Sequence, residues 1–177
     1  NYITQYCSGG RYCTTARYYL ADSYYRLGKN SEALAQYAIL AEMNANPYQE
    51  EAATRVAEIC YDKGDFSCAL EGFYRLQALA SGRENTLIAR LGILRCSQAL
   101  GRHQAVIDVA DMILGDQPIS DDMRIEALYG RAKAYIGLNQ WKNAQPDLTT
   151  LSKEVRTAQG AEAKYLLAQS YFELKDL

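Results

Sequence analysis

The chain of 177 residues has one histidine, one tryptophan and three prolines. It has no run of about 18 apolar residues, so no segment reads as a membrane-spanning helix. One histidine leaves little for imidazole catalysis or for a histidine-based metal site. The five cysteines, Cys7, Cys13, Cys60, Cys68 and Cys96, form no C-x-x-C pair, which weakens zinc and thioredoxin-type readings. Neither Asn-Gly nor Asp-Gly occurs, and no strand-length stretch alternates apolar with polar, so nothing signals a β-hairpin. Ser8-Gly9-Gly10 is followed by Arg11 rather than Lys-Ser/Thr and has no strand before it, which excludes a phosphate-binding loop. Positive charge is not in excess: Lys plus Arg is 19, Asp plus Glu is 21, and the net charge is −2. That balance argues against phosphate-driven binding of nucleic acid. Low Pro and Gly with 49% hydrophobic residues argue against disorder.

Present in quantity are 25 Ala, 20 Leu and 15 Tyr. Ala and Leu are strong helix formers, and Ala lets helices approach closely. Apolar positions recur at three- and four-residue steps, as in Ala16, Tyr19, Leu20, Ser23, Tyr24 and Leu27. Gly28, Gly64 and Gly101 each close such a stripe, where a glycine acts as a left-handed helix cap. Their spacings are 36 and 37 residues; Asn139 follows 38 later and Lys175 another 36 later. Asparagine is a common substitute for glycine at a left-handed position. The surroundings repeat as well. Seven before the turn stand Ala21, Ala57, Leu94, Ala132 and Ala168; four before it stand Tyr24, Cys60, Ser97, Tyr135 and Tyr171. Five after the turn stand Ala33, Ala69, Val106 and Ala144, and nine after it Tyr37, Phe73, Ala110 and Leu148. Each unit is a helical hairpin that must stack on a neighbour to bury its apolar face.

This pattern, Leu20-Ala21-x-x-Tyr24 … Leu27-Gly28-x4-Ala33-Leu34-x-x-Tyr37 with its echoes around Gly64 and Asn139, resembles the tetratricopeptide repeat (TPR) family. Phe66 and Trp141 match an aromatic that the family often places two residues after the turn, and the third unit is the most divergent. The resemblance implies an all-α right-handed solenoid, an α-α superhelix of four helical hairpins plus a terminal helix. First helices are expected at 11–27, 48–63, 84–100, 120–137 and 159–174, and second helices at 30–44, 66–80, 103–115 and 141–155. The repeats then run about 11–46, 47–82, 83–119, 120–157 and a partial 158–177, as one array cut from a longer chain. Pro146, near the start of a second helix, predicts a small kink or a late helix start there. Ser8-Gly9-Gly10-Arg11-Tyr12 and the Tyr-rich helix after it resemble the bacterial-envelope branch of the family, with its Tol-Pal-associated proteins and outer-membrane assembly lipoproteins. That resemblance implies a periplasmic or outer-membrane-associated location, with the cytoplasm as the alternative.

Several groups have structural readings. His103 fills the slot of Phe66 and Trp141. Cys60 and Cys68 read as small core residues, and Cys7 and Cys13 either pack or bridge, depending on the compartment. The pairs Glu50-Glu51 and Asp121-Asp122 sit at helix starts, where they favour the helix dipole. The tyrosines divide into two sets. Tyr24, Tyr37, Tyr135 and Tyr171 fill core slots. Others fall on the open face of the first helices, which the resemblance makes the concave surface. There Tyr18, Thr54, Leu91, Tyr129 and Tyr165 form one row, and Tyr25, Tyr61, Gln98, Ile136 and Phe172 another. Between them lie Asp22, Glu58, Arg95, Lys133 and Gln169, acidic at first and basic later.

Aromatic area of low rotamer entropy suits a binding surface. The candidate partner-binding residues are therefore Tyr18, Asp22, Tyr25, Thr54, Glu58, Tyr61, Arg95, Tyr129, Lys133, Tyr165 and Gln169. The expected role is a non-enzymatic scaffold or adaptor that holds a peptide or partner protein, without cofactor, nucleic acid or membrane insertion. A dicarboxylate clamp is disfavoured, because Tyr and acidic residues hold several of its places. Two rivals are a regulatory or sensor segment of a larger enzyme or transcriptional regulator, and an RNA-reading helical repeat. The second would need a basic groove.

Overall fold

The computed structural model describes residues 11–154 and 157–174. Among them are nine α-helices and no strand: α1 (Arg11–Arg26), α2 (Asn30–Glu42), α3 (Gln49–Asp62), α4 (Phe66–Leu79), α5 (Arg83–Ala99), α6 (His103–Gly115), α7 (Asp121–Gly137), α8 (Trp141–Leu151) and α9 (Ala158–Glu173). Contacts divide the chain into two compact units, Asn1–Gly92 and Ile93–Leu177, with the division inside α5. In the first unit α1 packs on α2, α2 on α3, and α3 on α4; in the second, α6 packs on α7, α7 on α8, and α8 on α9.

One turn geometry closes all four hairpins. Gly28, Gly64, Gly101 and Asn139 have φ of 70°, 75°, 66° and 58°. In each, the residue after the turn donates its N–H to the carbonyl five back: Lys29 to Tyr24, Asp65 to Cys60, Arg102 to Ser97 and Gln140 to Tyr135, at 2.8–3.0 Å. This is the Schellman arrangement, and it satisfies carbonyls that the helix end would otherwise leave bare. The positive φ explains the glycines and why Asn139 can replace one.

The small residues do the packing the repeat implies. Ala21, Ala33, Ala57, Ala69, Ala132 and Ala144 are fully buried. A Cβ on Gly72 of α4 would lie 2.9 Å from the Ala57 Cα of α3, so these helices cross almost in backbone contact. In the second unit Ile125, Leu128, Leu148 and Leu151 form a cluster against which Tyr135 and Ile136 pack. Asp147, 4% exposed, takes two hydrogen bonds from Arg131, Nε to Oδ2 at 2.8 Å and Nη2 to Oδ1 at 2.7 Å. Arg131 also reaches Asp111.

Four readings of the sequence change. Cys60 and Cys68 are not merely small core residues: they form a disulfide across the Gly64 turn, with Cα atoms 5.7 Å apart. Each stands four residues from Gly64, so the turn brings them face to face. Cys13 is also disulfide-bonded, while Cys7, for which packing and a bridge both stood open, lies outside the described residues. The second change is Pro146, which delays nothing. Helix α8 starts at Trp141, runs through the proline and stops at Leu151, earlier than expected. Third, Tyr171 is 44% exposed rather than core, because no described helix covers that side of α9. Fourth, Tyr24 is only half-buried, whereas Tyr37 is completely buried. The acidic pairs stand where the dipole reading puts them, in the first turns of α3 and α7, and Ser120 caps α7 by accepting from the Met123 N–H at 3.2 Å.

Candidate functional site

The expected rows stand ten, six and three residues before each turn, a spacing that puts them on one helix face. In the first unit, Tyr18 stacks on Tyr48 with centroids 4.2 Å apart and planes 11° from parallel. Its hydroxyl donates to Glu51 at 2.8 Å. Burial and the Glu51 carboxylate both push that phenol well above its ordinary range. Tyr25 lies under the Arg55 guanidinium, 5.1 Å from its centroid, and Arg55 donates to Glu58 at 2.8 Å. Asp22 accepts from Arg26 at 2.7 Å, Thr54 donates to the Glu50 carbonyl at 3.0 Å, and Tyr61 meets Phe66 edge-on at 5.5 Å. Thr54 and Glu58, with Glu50, Glu51, Arg55 and Asn85, line an open polar groove of about 330 Å³. Asn85 donates to Glu50 at 2.5 Å.

In the second unit, Arg95 makes a bidentate pair with Glu126 at 2.6 and 2.8 Å. Tyr129 donates to Glu162 at 2.5 Å, while Lys133 donates to the Tyr129 oxygen and to Glu162, both at 3.2 Å. The Tyr129 hydrogen bond, with help from Lys133, holds the Glu162 carboxyl below the usual carboxylate range. The hydrogen bond with Tyr129 and then the one with Glu162 raise the Lys133 ammonium, which stays charged. Gln98, His103, Tyr129 and Lys133 border a cavity of about 360 Å³. Tyr165 is 68% exposed and Gln169 half-buried, both on α9.

The structure thus gathers Thr54 with Glu58, and Tyr129 with Lys133, around concave sites. It ties Tyr18 and Tyr129 into the fold. Both donate to a glutamate 33 residues on, in the next first helix of the same unit. The middle-row charges are paired one by one, Asp22 with Arg26, Glu58 with Arg55, Arg95 with Glu126 and Lys133 with Glu162, so the acidic-to-basic trend is neutralised locally. The acidic row Glu51, Glu126 and Glu162 was missed from the sequence. Its signal was present, three residues before Thr54, Tyr129 and Tyr165. Tyr37 is buried as its core slot predicts, but its hydroxyl has no hydrogen-bond partner among the described residues. Burial, followed by Asp22, pushes that phenol up to about 12. His103 packs its ring against Gly137, as a slot-filler should. Among the described residues no group of three or more His, Cys, Asp or Glu side chains is placed to hold a metal ion, and no helix is long and apolar enough to cross a membrane.

A tetratricopeptide-repeat family model matches residues 18–84 and 129–177, well over half of the chain. The chain belongs to the tetratricopeptide-repeat family. The unmatched stretch between those segments holds the divergent third hairpin. No curated protein matches the chain. Among solved structures, two crystal structures of the nearly identical TPR-like repeats of a putative kinesin light chain from Podosopora anserina are similar. One is 18% identical with a TM-score of 0.60 and covers 92% of this chain and 86% of that one. The other is 20% identical with a TM-score of 0.59 and covers 92% and 87%. At such identity the likeness shows the fold: an all-α TPR array of helical hairpins. As a TPR chain it is a module of the protein–protein interaction type. The expected bacterial periplasmic or outer-membrane location, with its Tol-Pal-associated branch, is corrected by this result. The similar structures are TPR-like repeats of a putative kinesin light chain, and the short Gly/Ser turn that suggested the envelope lies outside the described residues.

Proposed function

We propose that the chain holds a peptide or a partner protein on the row-bearing face of its first helices, by contacts rather than chemistry. The observation that carries this is the coincidence of the 330 Å³ groove and the 360 Å³ cavity with the rows of Thr54 and Glu58 and of Tyr129 and Lys133. Concave sites with a few convergent polar groups are where ligands are held. Tyr18 and Tyr129 serve the face by fixing one first helix to the next, and Thr54, Glu58, Arg55 and Lys133 offer the contacts. The similarity to the TPR-like repeats of a putative kinesin light chain supports the repeat architecture on which this reading rests.

Peptides selected from a display library on the folded chain provide the test. Replacing Thr54→Arg together with Glu58→Lys should weaken them at least tenfold, with the helical circular-dichroism signal unchanged. Selected peptides that bind this folded variant as well as the original would overturn the reading.

A further inference from the structure

The same place in successive hairpins is filled differently. Three residues before the turn stand Tyr25, Tyr61 and Gln98. The Tyr25 ring is covered by Arg55, which stands nine residues before the next turn. The Tyr61 ring is met edge-on by Phe66, two residues after its own turn. The third hairpin has no such ring. Gln98 stands in the tyrosine's place, His103 in that of Phe66, and Gly130 in that of Arg55. Both large groups of the first arrangement are thereby cut away. Gln98 leans so closely on α7 that a Cβ on Gly130 would lie 2.4 Å from its Nε2.

What results is the 360 Å³ cavity, floored by the buried Val106, Gly130 and Ala134 and rimmed by Gln98, His103 and Lys133. The floor is apolar and can carry no charged head group. The cation on the rim, Lys133, already lies 5.2 Å from the centroid of the Tyr129 ring, within cation–π range. An electron-rich ring placed in the cavity would meet the same ammonium, while the Gln98 amide and the His103 imidazole offer hydrogen bonds at its edge. An aliphatic side chain would gain only the floor.

We propose that this cavity is an anchor pocket for an aromatic side chain of the bound partner, which supplies the ring that the first two hairpins carry themselves. This rests on the interaction role proposed above and adds its chemistry: the partner presents an exposed tyrosine or similar ring to the second unit.

The test is a ¹H–¹⁵N correlation titration of the whole chain with N-acetyl-L-tyrosinamide, using N-acetyl-L-leucinamide as control. The tyrosine probe should shift the amides of Gln98, Gly130 and Ala134 saturably. The leucine probe should bind about two- to fivefold more weakly, the factor that a cation–π contact of roughly 0.5–1 kcal/mol supplies. Gln98→Tyr gives the hairpin its own ring and should abolish the shifts. Lys133→Met, which keeps the side-chain length, should reduce the tyrosine probe to the level of leucine. Absence of shifts at these residues, equal binding of the two probes, or full binding to folded Gln98→Tyr would each overturn the pocket. Display-selected peptides separate this from the broader reading. If they respond to Thr54→Arg with Glu58→Lys but not to Gln98→Tyr, the pocket is wrong and the groove stands.

Discussion

The hydroxyl of Tyr37 gives a prediction whose sign runs against the usual effect of core substitution. The side chain is 0% exposed, and its oxygen finds no donor or acceptor among the described residues. Leaving a buried polar group unsatisfied costs about 1–3 kcal/mol, whereas the ring itself fills space that any truncation would empty. Tyr37→Phe keeps the ring and removes the unsatisfied atom, so it should stabilise the chain by about 1 kcal/mol or more. For a chain of this length that raises the melting temperature by roughly 2–4 °C per kcal/mol. The pH dependence supplies a second signature. Burial first, and then Asp22, raise the folded-state phenol to about 12 from an ordinary value near 10. The unfolded chain ionises first as pH rises. Stability is therefore fully present below pH 10 and falls as pH climbs through 12, by about 2–3 kcal/mol from this group. Thermal melts of both proteins between pH 8 and 11.5 read both effects. Tyr37→Phe should melt higher at pH 8 and lose less toward pH 11.5. Destabilisation by more than about 1 kcal/mol, with an unchanged alkaline slope, would show that the hydroxyl is satisfied and refute the reasoning.

Other substitutions test the packing and the turns. Asp147→Ala strips the buried partner from Arg131 and should cost about 3 kcal/mol in urea denaturation, the low end for a broken buried pair because Asp111 remains. Losing the Cys60–Cys68 bond, which closes a separation of eight residues, should lower stability by about 2.5 kcal/mol, read as the part of the reductant-induced melting shift that disappears in Cys60→Ser with Cys68→Ser, since Cys13 is bridged as well. Gly64→Ala should cost about 1–2 kcal/mol because its φ is 75°, while Asn139→Gly should change stability by less than about 0.5 kcal/mol.

The turns were legible because a left-handed residue leaves a mark in the sequence: glycine at three of four positions, and asparagine at the fourth. The core was legible for a similar reason, since Ala57 and Ala132 must be small where helices cross. Equal spacing of Cys60 and Cys68 about Gly64 encoded the disulfide, but only a view of the hairpin as a mirror would have exposed it. The spacing put the rows on one side of each first helix, but it did not show what their side chains meet. A phenol or a guanidinium reaches beyond its own helix, and what Tyr18, Arg95 or Lys133 meets depends on how the next hairpin stacks. Residue spacing along one helix carries no information about that offset. Tyr171 shows the converse: its slot predicts burial, but burial needs a neighbour over α9.

The central claim is that partners bind on the row-bearing face of the first helices. Chemical-shift mapping of the chain with its tightest display-selected peptide tests it most directly. Perturbed amides should cluster at Thr54 and Glu58 in the first unit, or at Gln98, Gly130 and Lys133 in the second, or at both. Perturbations confined to the second helices, or to the loop around Ala45 and Pro47, would contradict it.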